Sequence, residues 1–317
     1  MPRTSLDDAL ATPVAPAPDA SFEALLAYLA EARGEHEQRL LDAGALLFRG
    51  WDVRSAEDLV RFVQAFTPGG RLFDYAGGAS PRTSLGGGSY SSTEYPPHLQ
   101  LALHNELSYS TLYPSRLFFL CVVEPEDGGE TTIGDSRLIL ARMDAAVIEK
   151  LRTKDVRYTR NLSSSAGSGY SWQDAFETSD PAQAEAYCRR IGADFEWRGE
   201  GLMHVRQHGP ATAVHSLTGE ETWFNQADGF HPSALDAVSY AELLSLCGNE
   251  DRFRLNSAYG DGSPFEPATL AHIREAIRAE TIPHRWRLCD ILVLDNRLTA
   301  HGRMPFTGSR KIALAMT

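Results

Sequence analysis

Long apolar segments are absent from this sequence of 317 residues. No run of apolar residues approaches the roughly 20 that a membrane-spanning helix needs. The first twenty residues are rich in Pro and Ala and lack the apolar segment of a secretory signal peptide. We therefore expect a cytoplasmic protein that does not bind a membrane.

Cysteine is also scarce. The four cysteines, Cys121, Cys188, Cys247 and Cys289, are widely separated and form no Cys-x-x-Cys pair. This spacing excludes the paired-cysteine zinc sites and gives no sign of the disulfide framework of small secreted domains. We expect free thiols in a reducing compartment, three of them in apolar or periodic segments.

Basic residues are outnumbered by acidic ones, 30 against 42, for a formal net charge of −12. A nucleic-acid groove needs clustered Lys and Arg to neutralise phosphates, and an anionic membrane surface attracts the same residues. The composition therefore argues against both partners and favours a small-molecule substrate. It predicts no oligomeric state.

The chain is predicted to form one domain over residues 21–317, preceded by a loosely held Pro- and Ala-rich arm over residues 1–20. Apolar residues at helical spacing begin at Phe22 and run to Gly44, a predicted helix C-cap. On length alone, one large domain is as plausible as two.

Two further segments of the first hundred residues carry local signals. Ser55 and Asp58 predict a capping box at the start of a helix. Residues 68–97 are dense in Gly, Ser, Pro and Thr, which predicts a long loop. Such a loop is a lid or binding loop, or else a mobile surface insertion.

From residue 98 onward, short strand candidates are separated by turn residues. The clearest candidates cover 98–106, 116–123, 156–162, 194–198, 202–208, 289–296 and 310–316. Helical segments are predicted near 143–152, 181–191, 236–247 and 267–280. Many short strands with peripheral helices predict a mainly β protein whose core is a β-barrel or jelly roll.

A possible metal site begins at His104-Asn105-Glu106. In an extended chain, residues i and i+2 project to the same face, so His104 and Glu106 can reach one ion. An imidazole nitrogen and a carboxylate oxygen suit a divalent metal such as Fe(II). By itself the motif fits equally well a strand with a buried His and an exposed Glu.

His301 follows an apolar strand and a polar turn, and Arg310 lies nine residues later. Two His and one carboxylate on one face of an octahedral ion leave three positions open, enough for a bidentate 2-oxo acid and O2. Arg310 is placed to bind the distal carboxylate of such an acid, with the hydroxyl of Thr131 assisting. Taken singly, Arg310 fits a surface residue and Thr131 an ordinary strand residue.

Several motifs together resemble the taurine dioxygenase (TauD/TfdA) superfamily, and within it the SyrP-like branch of hydroxylases. They are HNELSYS, YPSRLFF, EPEDGGET, TWFNQ and LDNRLTAHGRMPFTGSRKI, in this order over roughly residues 40–317. The resemblance implies a double-stranded β-helix (jelly-roll) core. It also implies that His104, Glu106 and His301 are iron ligands, and that Arg310 binds the C5 carboxylate of 2-oxoglutarate with Thr131.

The resemblance further implies the reaction. Fe(II), 2-oxoglutarate and O2 would oxidise a C–H bond of a small molecule, releasing succinate and CO2. Relatives that halogenate have a small residue in place of the acid, so Glu106 indicates a hydroxylase or another oxidase. Desaturation, cyclisation and epoxidation stay open. An amino acid or amino-acid-derived intermediate of specialised metabolism, free or tethered to a carrier protein, is the expected substrate; a sulfonate or betaine is not excluded.

Three further residues are candidates for substrate contact. Arg303 could bind a substrate carboxylate or pair with an acid of the core, and His98 shares the strand parity of His104. The family resemblance suggests that the strand carrying Asn225 lines the cavity. The Gly- and Ser-rich segment 163–172 fits either a lid or a flexible surface loop.

One further histidine motif and two rival functions of the triad remain as alternatives. His204 and His208 have the i, i+4 spacing of a helical metal site, but their segment is short and lacks helical periodicity, so structural roles are favoured. The triad His104, Glu106 and His301 could also belong to a zinc hydrolase, which would leave Arg310 and Thr131 without a role. A non-catalytic barrel that binds 2-oxoglutarate is the remaining alternative.

Overall fold

The computed structural model describes residues 4–16, 18–164 and 170–317 of the chain. In this part of the chain, helices contain more residues than strands, and the strands pair antiparallel in their sheets. The prediction of a mainly β protein is therefore corrected to a mixed α and β architecture. Short helices such as those over 136–142 and 172–176 have too few residues to show a clear period in the sequence.

The helices are α1 (Leu6–Ala11), α2 (Phe22–Glu31), α3 (Arg33–Ala43), α4 (Ala56–Phe66), α5 (Ser136–Arg142), α6 (Ala145–Lys154), α7 (Trp172–Phe176), α8 (Pro181–Arg190), α9 (Ala227–Phe230), α10 (Ala237–Cys247) and α11 (Pro267–Ala279). The strands are β1 (Ala45–Phe48), β2 (Ser84–Gly86), β3 (Ser89–Ser91), β4 (Leu101–His104), β5 (Arg116–Val123), β6 (Asp127–Gly128), β7 (Thr131–Asp135), β8 (Val156–Leu162), β9 (Asp194–Arg198), β10 (Leu202–Gly209), β11 (Thr212–Val214), β12 (Glu221–Trp223), β13 (Leu255–Tyr259), β14 (Ile282–His284), β15 (Ile291–Asp295), β16 (Thr299–Arg303), β17 (Phe306–Thr307) and β18 (Lys311–Met316).

Two sheets enclose the main core. The larger has the strand order β1-β15-β5-β18-β3-β2, and the smaller has the order β14-β7-β16-β4. Alternate residues of the larger sheet, such as Phe119 and Leu292, share one apolar cluster with Ile133 and Ala300 of the smaller sheet. This period of two is what a sheet buried on both faces requires.

The opposite face of the larger sheet is covered by helices. Phe118 and Val293 pack there in a second cluster with Leu25 of α2 and Phe62 of α4. The resulting order is helices, six-stranded sheet, shared core and four-stranded sheet. A further sheet, β13-β8-β10-β9, forms a third cluster with α7 and α8.

The predicted loosely held arm over residues 1–20 is wrong for the segment that contains α1. Ser5 and Asp8 form a capping box, and Leu6 is buried in the core between the two sheets. Val14 pairs with Phe48 at the edge of β1 and is also buried. Its carbonyl accepts hydrogen bonds from the Trp51 indole and the Arg49 backbone.

Other local predictions are confirmed with adjusted bounds. Ser55 and Asp58 form the predicted capping box of α4, and Gly44 ends α3 with φ at 83°. The helical pattern from Phe22 is interrupted at Ala32 and forms two helices. All four cysteines are free. Across the described ranges, no helix is long and apolar enough to cross a membrane.

Candidate metal centre

Two neighbouring strands of the smaller sheet place two imidazoles together. β4 and β16 pair antiparallel, with His104 directly opposite His301. Directly opposed residues project to the same face of a sheet, and the two ring centroids are 4.4 Å apart. The Nδ1 of His104 lies 2.9 Å from the Ala102 carbonyl, which can only accept a hydrogen bond, so Nε2 of His104 is left with a free lone pair.

Glu106 follows β4 and is positioned by its own backbone. The Glu106 N–H donates to Oδ1 of Asn296 over 2.7 Å, and Nδ2 of Asn296 donates back to the Glu106 carbonyl over 3.0 Å. The next residue, Leu107, has φ at 54°, a conformation that is costly for a residue with a side chain. The chain turns sharply here and directs the Glu106 carboxylate toward the two imidazoles.

Ligand atoms of His104, Glu106 and His301 all lie within 4.8 Å of one another. His301 Nε2 is 3.5 Å from Oε2 of Glu106, and both side chains are almost completely buried. Within residues 4–16, 18–164 and 170–317, this is the only group of three His, Cys, Asp or Glu that could bind a metal ion. Two nitrogens and one carboxylate oxygen are the donor set of non-haem Fe(II) oxygenases.

The protonation states favour metal binding. Burial, reinforced by the neighbouring His301, lowers the pKa of His104 to about 4, so the imidazole is neutral at pH 7. Burial by itself would raise the pKa of Glu106, but the Arg82 guanidinium acting together with His301 and His104 outweighs burial and holds that pKa well below its ordinary value. A neutral imidazole and an ionised carboxylate are the forms that bind a cation.

Arg310 and Thr131 line the same cavity as His301. Nη2 of Arg310 lies 3.4 Å from Oγ1 of Thr131, which also accepts a hydrogen bond from the Trp286 indole over 3.0 Å. Nε of Arg310 donates to the Gly129 carbonyl over 2.9 Å. Burial, and after it Arg303, lowers the pKa of Arg310 to about 10, so the guanidinium is still charged at pH 7.

Arg82 is one residue of this centre that the sequence did not predict. Its Nη2 donates to Oε2 of Glu106 over 2.6 Å, its side chain is 2% exposed, and its guanidinium lies 4.5 Å from the centre of the Tyr75 ring. Arg82 lies in the Gly- and Ser-rich stretch 68–97. A Pro-Arg-Thr sequence in an aperiodic loop gives no signal that its Arg is buried.

The loop segment that leads to Arg82 is fixed by side chains from other elements. Three of its backbone carbonyls accept hydrogen bonds from side chains. The Ala76 carbonyl accepts from Tyr187, the Gly77 carbonyl from Tyr109 and Arg160, and the Ala79 carbonyl from Arg254. The Gly77 N–H donates to the Ala175 carbonyl. Of the two alternatives for residues 68–97, a binding loop therefore fits this segment and a mobile surface insertion does not.

The three candidates for substrate contact lie in different surroundings. The Arg303 guanidinium lines the cavity but donates to the carbonyls of Tyr95, Pro96 and Leu99. The Asn225 side chain is buried and bonded to the backbone of Ala211 and Ala227.

His98 is exposed in a turn, because β4 begins only at Leu101. The predicted strand parity with His104 is therefore wrong.

The remaining histidine motif does not belong to the ligand cluster. His204 and His208 are on strand β10, which confirms that their spacing is not that of a helical metal site. His204 Nδ1 lies 2.7 Å from Oδ1 of Asn161. Residues 165–169 of the predicted lid lie outside the described residues, and Ser171 caps α7.

Comparisons with known proteins cover most of the chain. Residues 7–317 match the family described as "Taurine catabolism dioxygenase TauD, TfdA family". The chain is 31% identical over 280 residues to the dapdiamide synthesis protein DdaC of Enterobacter agglomerans, covering 88% of this chain and 84% of the relative. It is 31% identical over 289 residues to a clavaminate synthase-like protein of Arabidopsis thaliana, covering 87% and 82%.

Among solved structures, PvcB of Pseudomonas aeruginosa superposes with a TM-score of 0.50 at 16% identity, covering 90% of this chain and 78% of PvcB. At that identity the likeness describes the fold alone.

Proposed function

The chain belongs to the TauD/TfdA family of Fe(II)- and 2-oxoglutarate-dependent dioxygenases, and from that premise we propose that His104, Glu106 and His301 bind the Fe(II) of this enzyme. We further propose that Arg310, assisted by Thr131, binds the distal carboxylate of 2-oxoglutarate. The observation that carries the proposal is that the three candidate ligand side chains lie together and that one of them, His301, lines a cavity with Arg310 and Thr131.

Bound iron supplies the oxidation: one oxygen atom of O2 enters a C–H bond of the substrate, and the other enters succinate as 2-oxoglutarate loses CO2. The protein contributes position and charge. His104 presents Nε2, since its Nδ1 is bonded to the Ala102 carbonyl, and Asn296 fixes the backbone of Glu106. Burial of Glu106 and His301 keeps bulk water away from the reacting groups.

The substrate we propose is an amino acid or an amino-acid-derived intermediate of specialised metabolism, free or tethered to a carrier protein, and hydroxylation is the proposed outcome. The names of the two relatives, one in dapdiamide synthesis and one clavaminate synthase-like, support a small molecule of this class. The carboxylate of Glu106 at the centre supports hydroxylation. We also infer that the two facing antiparallel sheets form a double-stranded β-helix.

The test is to replace one metal ligand at a time. We expect Glu106→Ala and His301→Ala to abolish O2-dependent succinate formation from 2-oxoglutarate while the thermal unfolding of the metal-free protein stays cooperative. They should also abolish the charge-transfer absorption that 2-oxoglutarate gives when bound to Fe(II) without oxygen.

His208→Ala, an exposed histidine of β10, is the control and should behave as the wild type. Normal succinate formation by either ligand variant would contradict the ligand assignment. Hydrolysis with zinc and without O2 uptake would instead favour a metallohydrolase.

A further inference from the structure

Arg82 and Arg310 line one cavity but lie in different parts of it. Arg82 contacts the metal-ligand residue Glu106, whereas Arg310 contacts Thr131, Ser92 and Gly129. His301 lines the same cavity. The cavity therefore has one guanidinium bonded to a metal-ligand residue, and two others, those of Arg310 and Arg303, that are bonded to other groups.

Arg82 has donors that the protein does not use. Its Nε and Nη1 are buried and have no hydrogen-bond partner, and only Nη2 is paired, with Glu106. Buried polar groups in proteins are nearly always bonded, so unpaired guanidinium donors at a candidate active site indicate a ligand with acceptor oxygens. A carboxylate is the acceptor that a guanidinium binds best.

The position of this guanidinium is set before any ligand arrives. The Tyr75 ring lies against one of its faces, and the backbone of segment 76–79 is bonded to Tyr187, Tyr109, Arg160 and Arg254. A donor fixed in this way loses little conformational freedom on binding. Arg82 is thus a preorganised anion site adjacent to the ligand cluster.

We propose that Arg82 binds the C1 carboxylate of 2-oxoglutarate, at the opposite end of the co-substrate from Arg310. This inference rests on the proposed function. A 2-oxo dicarboxylic acid has a carboxylate at each end, which matches a cavity where one guanidinium is bonded to Glu106 and another, that of Arg310, is bonded to Thr131. Arg82 would contact both the C1 carboxylate and the Glu106 carboxylate, and its charge would reduce their mutual repulsion at one ion.

A carboxylate of the organic substrate has the same chemistry, so the experiment separates the two sources. The probes are 2-oxoglutarate and pyruvate, which shares the 2-oxo acid group but lacks the distal carboxylate. Their dissociation constants are measured by calorimetry at saturating Mn(II), without organic substrate. Mn(II) affinity and thermal unfolding are measured first for every variant, since Arg82 also contacts a metal-ligand residue.

The variants are Arg82→Met, which keeps an unbranched chain beside Tyr75, and Arg82→Lys, which keeps the charge without the planar fork. We expect Arg82→Met to weaken both 2-oxoglutarate and pyruvate by a similar factor, about tenfold or more, and Arg82→Lys to weaken both by less. Arg310→Lys is the matched control: it should weaken 2-oxoglutarate and leave pyruvate binding unchanged.

Pyruvate and 2-oxoglutarate binding at wild-type strength in a folded, Mn(II)-loaded Arg82→Met protein would overturn the inference and leave the carboxylate of the organic substrate as the partner of Arg82. A weaker 2-oxoglutarate complex with unchanged pyruvate binding would also overturn it. If the wild-type protein with Mn(II) binds neither probe, the proposed function itself fails, whatever Arg82 does.

Discussion

At the scale of single residues, Asn296 positions the backbone of the proposed metal ligand Glu106. Its amide bonds the N–H and the carbonyl of Glu106 and also donates to the Pro114 carbonyl over 2.8 Å, and the side chain is fully buried. One amide thus fixes both backbone groups of a proposed iron ligand. In metalloproteins, replacing a residue that orients a metal ligand commonly lowers metal affinity by about 10–100-fold.

We therefore predict that Asn296→Ala weakens Fe(II) or Co(II) binding by about 10–100-fold and also lowers the free energy of unfolding, since buried backbone groups lose their partners. Metal titration followed by visible absorption would measure the first effect. Asn161→Ala is the control, because that amide is also buried but bonds the carbonyls of Asp251 and Phe253. It should cost stability without changing metal affinity; equal metal binding by both variants would remove the positioning role from Asn296.

The same scale shows what a sequence can reveal about a site. His104 and Glu106 are predicted because an extended chain would place them on one face, although β4 ends at His104, and His301 because it follows a strand-turn pattern. Asn296 was overlooked, although it follows directly after the apolar strand β15, because nothing in that pattern indicates what its amide bonds. The position of Arg82 depends on contacts between residues that are far apart in the chain, such as Arg254 and Ala79, which are 175 positions apart. No local sequence pattern indicates such contacts.

At the scale of elements, the pairing of β4 with β16 depends on a glycine next to the second imidazole. A Cβ on Gly302 would lie 2.5 Å from the Leu101 carbonyl oxygen and 2.7 Å from Oγ1 of Thr132. The register of the two strands also shifts between His301 and Arg303. The close approach of the β4 backbone at this position thus requires the absence of a side chain.

Gly302→Ala is expected to push β4 away from β16 and separate His104 from His301, which should reduce metal affinity and thermal stability together. Metal titration and thermal unfolding would report the two changes. Gly209→Ala in β10 is the matched control, since a Cβ there would meet its nearest neighbours at 3.5 Å or more. If Gly302→Ala binds metal normally, the strand spacing does not set the site.

The prediction of helices and strands succeeded where burial alone determines the element. The continuous apolar runs of β5 and β15 needed only burial on both faces, and their positions agree with the structure. The strand predicted from His98 failed because Arg303 binds the carbonyls of Tyr95, Pro96 and Leu99 and keeps that stretch out of the sheet. The alternation of apolar and polar residues in a sequence does not show that a distant guanidinium will bind the backbone carbonyls of the same stretch.

At the scale of the whole molecule, the N-terminal segment packs into two apolar clusters of the fold. Leu6 lies in the core between the sheets, while Val14 lies in the cluster beneath the helices and pairs with the edge strand β1. Edge strands expose unpaired backbone groups that can pair with other chains. A segment that pairs there both stabilises the domain and protects it from association.

We predict that a chain lacking residues 1–15 unfolds at a temperature roughly 5 °C lower or more, since two large apolar side chains leave the core and the Trp51 indole loses its acceptor. It should also associate more readily during heating. Differential scanning calorimetry and light scattering would measure both. A chain lacking only residues 1–4 retains the Ser5 cap and should melt like the full chain; equal melting of the two truncations would show that the segment adds nothing.

The strand pair that joins His104 to His301 unites parts of the chain roughly two hundred residues apart. An ion bound there would act as a removable cross-link between these two parts of the chain, and its loss would release a closure of roughly two hundred residues. A ligand that binds the native state and not the unfolded state raises the free energy of unfolding, roughly with the logarithm of the free ligand concentration. The lifetime of this enzyme in a cell would then follow the supply of iron, even when no substrate is present.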